Sequence, residues 1–158
     1  MPDAVIPLTS GVTLNVVALS NDDYYGMDAR FYENPSFDGD FTFEAFITEK
    51  RQLENQLRGK FAEFWTEVED FEVGNDFNIA FTLCGGVYST RPICRKYLEI
   101  LRDAIASTKN HARWMYDTSV ELQNDDGFQL FGFRLVGNSV FVRSDDLADF
   151  DVVHAYSK

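Results

Sequence analysis

The apolar positions along the chain follow two periods, and each period predicts a different element. Residues 49–70 carry Leu53, Leu57, Phe61, Phe64, Trp65 and Val68 on one stripe at 3.6 residues per turn, which predicts an amphipathic helix capped by Thr48. A second stripe joins Cys94, Tyr97, Leu98, Leu101, Ala104, Ile105 and Thr108. Ser89 or Thr90 is placed to cap that helix, Pro92 fits its first turn, and Asn110 is a stop.

The other period is two. Residues 12–19 (VTLNVVAL) read as a short, mostly buried strand, and 41–48 as a strand with Phe41, Phe43, Ala45 and Ile47 on one face. Residues 77–83 alternate, with Phe77, Ile79, Phe81 and Leu83 inward. Residues 113–122 repeat the pattern through Trp114, Tyr116, Thr118, Val120 and Leu122. After the turn Asn124-Asp125-Asp126-Gly127 come strands at 128–136 and 139–143, joined by a two-residue hairpin turn at Gly137-Asn138. Val152-Val153 is a candidate short edge strand in the acidic tail 144–158.

Between Ser20 and Asp40 no period holds. Asn34-Pro35 and Asp38-Gly39 are turn chemistry, so residues 20–40 read as a long acidic and aromatic loop, pairing in part as a strand around Asp28–Tyr32. Two helices with one greasy stripe each need a sheet face to cover. The expected fold is therefore α+β: a single two-layer domain over residues 1–158, with a mainly antiparallel sheet and two amphipathic helices packed on one face.

Charge narrows the partners. There are 26 acidic against 14 basic residues, a net charge of −12. That balance disfavours direct binding of nucleic acid or of an anionic membrane. No apolar run approaches the roughly 18 residues of a membrane span, and Met1–Ser10 lacks the pattern of a secretory signal. A cytoplasmic location is the expectation, with Cys84 and Cys94 as thiols rather than a disulfide framework.

Candidate chemistry is thin. Cys84 precedes Gly85-Gly86, but a nucleophilic thiol needs a histidine base, and His111 and His154 lie in no matching signature. Asp145, Asp146, Asp149, Asp151 and His154 supply oxygen and nitrogen donors without the glycine and terminal glutamate of a calcium loop. Gly85-Gly86 ahead of Arg91 and Arg95 has the makings of an anion site at a helix start, without a Walker lysine. Carboxylate pairs carry no specificity in so acidic a chain. The reading is a non-enzyme with no cofactor and no metal.

The distribution of charge is more telling. Arg91, Arg95, Lys96, Arg102, Lys109 and Arg113 outweigh Glu99 and Asp103, so the second helix is basic and the rest of the chain more acidic than the whole. Two clusters mix acid with aromatic: Asp22, Asp23, Tyr24, Tyr25, Asp28, Phe31, Tyr32 and Glu33, then Asp145, Asp146, Asp149, Phe150, Asp151 and Tyr156. Rings supply buried area, and carboxylates supply steering and pairing with Arg or Lys. The expected function is a binding protein that neutralises a basic partner, a toxin such as a nuclease, as a bacterial immunity protein does. Asp22, Asp23, Tyr24, Tyr25, Asp28, Tyr32, Glu33, Asp145, Asp146, Asp149 and Asp151 are the expected partner-binding residues. The alternatives are a nucleic-acid mimic that inhibits a DNA-binding or restriction protein, and a small-molecule-binding domain. Monomer and homodimer are equally compatible with the sequence.

Overall fold

The computed structural model describes residues 2–33, 37–64, 72–73, 80–84, 91–124 and 127–147. Tyr32, Glu33, Arg58 and the described parts of 61–97 and 118–131 are described by their backbone only. The fold is α+β. The described strands are β1 (Ala4–Pro7), β2 (Thr13–Leu19), β3 (Glu72–Val73), β4 (Ala80–Cys84), β5 (Met115–Asn124), β6 (Gly127–Val136) and β7 (Ser139–Arg143). They form one sheet in the order β1-β2-β7-β6-β5-β4-β3. Most pairings are antiparallel, and β2–β7 and β4–β5 are the parallel ones. The parallel neighbours β4 and β5 are linked through helix α3 (Arg91–Ala106), the crossover that parallel pairing requires.

The second predicted helix is α3. Leu98, Leu101, Ala104 and Ile105 are fully buried, and the Thr108 hydroxyl ends the stripe by donating to the Ile105 carbonyl at 2.8 Å. The hairpin at Gly137-Asn138 is present too. Gly137 holds φ +58°, a left-handed value that favours glycine. Asn138 then ties the turn to its surroundings: its carbonyl accepts from Asn15 N at 2.8 Å and its side chain from Arg102 Nε at 3.0 Å.

Two expectations are corrected, and one strand is added. Residues 41–48 are not a strand: helix α2 spans Phe43–Phe64, and Thr42, not Thr48, caps it by accepting from Ala45 N at 3.1 Å. Phe46, Leu53 and Leu57 are fully buried at helical spacing, whereas Phe43 is 52% exposed. A short apolar run satisfies both periods, and the longer helical stripe behind it decided the outcome. Residues 20–40 are not one loop: Asn21–Asp28 is helix α1, and Ala29–Glu33, expected in part as a strand, winds as a π-helix. Finally, β1 was not foreseen, since its four residues end in proline. The turn into β2 closes with Leu8 N donating to Val12 O at 2.7 Å, around Gly11 at φ +90°. The expected edge strand at Val152-Val153 lies outside the described residues.

Strand register sorts the side chains between the two faces of the sheet. Ile6, Leu14, Val16, Val140, Leu135 and Tyr116 line one face, where they join Leu53, Leu57, Leu98 and Leu101 in the core. Phe46 seals one end by stacking on Trp114 with ring centres 5.6 Å apart. Two buried carboxylates tie the helices to the loops. Glu49 accepts from Asn110 N at 2.9 Å and Asn110 Nδ2 at 2.7 Å, and Glu99 accepts from Thr9 N at 2.7 Å. The opposite face carries Val17, Phe141, Arg143, Arg134 and Asp117, and the candidate site is built there.

Candidate acidic and tyrosine site

The parallel pairing of β2 with β7 brings the site together. Leu19 lies opposite Arg143 at the last rung, so both strands finish at the same end of the sheet. Helix α1 follows one of them, and the short turn Ser144–Asp146 follows the other. The first acidic cluster and the described start of the second thus become neighbours, although more than a hundred residues separate them in the chain.

Helix α1 starts because Ser20 caps it: its hydroxyl accepts from Asp23 N at 3.2 Å, and its carbonyl from Tyr24 N at 2.8 Å. Asp22 and Asp23 then sit in the first turn, where the helix dipole favours negative charge. Tyr24 points inward and is 5% exposed, while Tyr25 points outward and is 50% exposed. The two rings meet edge to face at 5.4 Å.

Two arginines from the sheet hold this arrangement. Arg134 is 4% exposed. Its Nη1 donates to the Tyr24 carbonyl at 2.6 Å, and its Nη2 lies 2.7 Å from Asp28 Oδ1 and 3.6 Å from Asp117 Oδ2. Its guanidinium carbon stands 4.3 Å from the centre of the Tyr24 ring and 5.8 Å from that of Tyr25. The Asp28 contact is off the line of an N–H bond, so it is an ion pair rather than a hydrogen bond. Burial pushes the Tyr24 phenol up to about 12; the nearby Arg134 charge opposes that shift.

Arg143 works at the surface. Its Nε and Nη2 reach Asp146 Oδ2 at 2.8 and 2.7 Å, and its Nη1 donates to the Tyr25 hydroxyl at 3.3 Å. The Asp146 hydrogen bond is the main reason its guanidinium is held above its ordinary value. Arg143 thereby links a tyrosine of the first cluster to an aspartate of the second.

The expected partner-binding residues therefore divide. Tyr24 faces Arg134 and the sheet, and Asp28 and Asp146 are engaged by the two arginines. Asp22, Asp23 and Asp145 are exposed and make no ion pair among the described residues, and Tyr25 stands beside Arg143. The side chains of Tyr32 and Glu33, and all of Asp149 and Asp151, lie outside the described residues. Sequence reasoning missed Arg134, Arg143 and Asp117. One signal was available: Arg134 interrupts the apolar strand FQLFGFRLV, and a charge in such a strand needs a partner.

The basic residues of the segment 91–113 whose side chains are described are also paired, Arg102 in α3 and Lys109 and Arg113 beyond its end. Arg102 meets Asp103 at 3.0 Å, Lys109 meets Asp40 at 3.8 Å, and Arg113 bonds Asp38 while lying over the Phe41 ring. Among the described residues, no three His, Cys, Asp or Glu side chains converge to hold a metal ion, and no helix is long and apolar enough to cross a membrane.

Compared with known proteins, the chain matches no family, no curated protein and no solved structure.

Proposed function

We propose that the protein is a non-enzymatic binding protein that neutralises a basic protein partner, a toxin such as a nuclease, in the manner of a bacterial immunity protein. One observation carries the reading. Asp22, Asp23 and Asp145 are exposed and make no ion pair among the described residues, at the end of the sheet where the half-exposed Tyr25 accepts a hydrogen bond from Arg143 at 3.3 Å. A ring held in place loses little entropy on contact, and free carboxylates beside it pair with incoming Arg or Lys. The net charge of −12 adds long-range attraction for a cationic partner. Under this reading Asp28, Asp146, Arg134 and Arg143 shape the surface, and Asp22, Asp23, Tyr25 and Asp145 touch the partner.

The test is affinity capture from lysate of the source cell with the wild type and with the triple variant D22K/D23K/D145K, washed at low and at about 0.5 M salt. A basic protein kept in stoichiometric amount by the wild type and lost by the variant is the expected result. Inhibition of that protein's toxic or nuclease activity by the wild type alone would complete it. A partner held equally by both proteins would overturn the site, and absence of any partner would overturn the function. A captured DNA-binding or restriction protein would transfer the conclusion to nucleic-acid mimicry.

A further inference from the structure

Helix α1 is poorly suited to stand alone. Its sequence, NDDYYGMD, is rich in residues of low helix propensity, and eight residues are well short of the roughly 12–15 that sustain a helix in water. Tyr24 is its only buried residue, and Met27 packs partly against the core. Both flanks are nevertheless pinned. Leu19 ends β2 opposite Arg143, and Phe31, just past the helix, is 2% exposed in the core. Between those anchors, Arg134 holds the Tyr24 carbonyl, the Tyr24 ring and the Asp28 carboxylate.

We propose that α1 is a latched strap, closed by Arg134, which opens between Ser20 and Arg30 while the sheet stays folded. The physical reason lies in what each state offers the arginine. In the closed state its Nε makes no hydrogen bond among the described residues. In the open state it keeps Asp117, 3.6 Å away on the neighbouring strand, and gains water for every group that α1 had covered. Opening thus exposes one ring, one cation and the partly buried Met27 rather than a long apolar stripe, and local openings of this kind lie well below the global unfolding energy. Opening also carries Asp22, Asp23 and Tyr25 away from Arg143 and Asp145. The consequence that the partner surface is complete only with the strap closed rests on the function proposed above. The strap itself does not, and it is tested without any partner.

The experiment is amide hydrogen exchange on the full chain, read for Tyr25–Ala29 and for Leu135–Val142, with and without low urea. In the wild type the α1 amides should exchange faster than those of β6 and β7, through an opening that low urea barely changes. R134M and D28N should each speed α1 exchange by about tenfold or more, with a smaller change in β7. D28N leaves Arg134 and Asp117 in place, so it carries the comparison if R134M does not fold. Exchange of α1 in step with β7 in the wild type would overturn the proposal, and so would unchanged α1 exchange in D28N.

Discussion

The guanidinium of Arg134 lies under the ring of Tyr24, 4.3 Å from its centre, and bonds the carbonyl of the same residue. A single side chain thereby reads both the ring and the backbone of a residue 110 positions away. Burial of the Tyr24 phenol and burial of the Arg134 cation depend on each other, and this coupling has measurable consequences.

The first concerns alkaline pH. Below pH 10 the Tyr24 phenol is neutral in the folded and unfolded chain alike, and its burial favours the fold. Above pH 10 the unfolded chain ionises at the ordinary value, while the folded phenol holds its proton to about 12. Stability from this group is therefore lost as pH rises from 10 through 12. Urea unfolding at pH 9, 10 and 11 should show the wild type losing stability relative to Y24F, which keeps the ring over Arg134 and has no proton to lose. Parallel curves for the two proteins would contradict the assignment.

The second separates the carboxylate paired with Arg134 from those that make no ion pair among the described residues. D28N should cost about 1–3 kcal/mol, because it removes the closer of the two ion pairs of a buried cation. D22N, D23N and D145N should each stay within about 0.5 kcal/mol of the wild type. Equal effects at all four positions, measured by urea unfolding at neutral pH, would show that the division of the site is wrong.

The start of α2 makes a third prediction. Phe46 is fully buried against Trp114, whereas Phe43 is half exposed. F46A should destabilise by about 3–5 kcal/mol and F43A by less than about 1 kcal/mol. A strand at 41–48 demands the reverse order, so thermal unfolding of the two variants decides between the two periods.

A fourth concerns Glu49, whose carboxylate accepts both the backbone and the side-chain amide of Asn110. E49A should cost about 1–3 kcal/mol by leaving these donors unpaired, and E49Q, which retains one acceptor oxygen, should cost less. A loss in E49Q as large as in E49A would mean that charge rather than acceptor count matters at this turn.

Much of this architecture was legible in the chain. The stripe of α3, the strands β5, β6 and β7 and the Gly137-Asn138 turn are local patterns, each written within one short stretch of chain. The α+β class followed, since two greasy helices need a sheet to cover. The choice of acids and tyrosines from Asp22 to Asp28 and at Asp145 and Asp146 was compositional, and the structure places these segments at one end of the sheet.

Tertiary structure decided the rest, because the deciding contacts are remote in sequence. The local sequence of α1 favours turns, and it is helical because Ser20 caps it and Arg134 holds it. The apolar run at 41–48 fits two periods; the helical stripe continuing through Leu53 and Leu57 favours the helix, and the stacking of Phe46 on Trp114 fixes which side of its first turns is buried. Which carboxylates have an ion pair among the described residues was equally out of reach of composition. Asp28 and Asp22 are alike as letters, and only the register of β6 against β5 and β7 places Arg134 where it pairs with one and not the other.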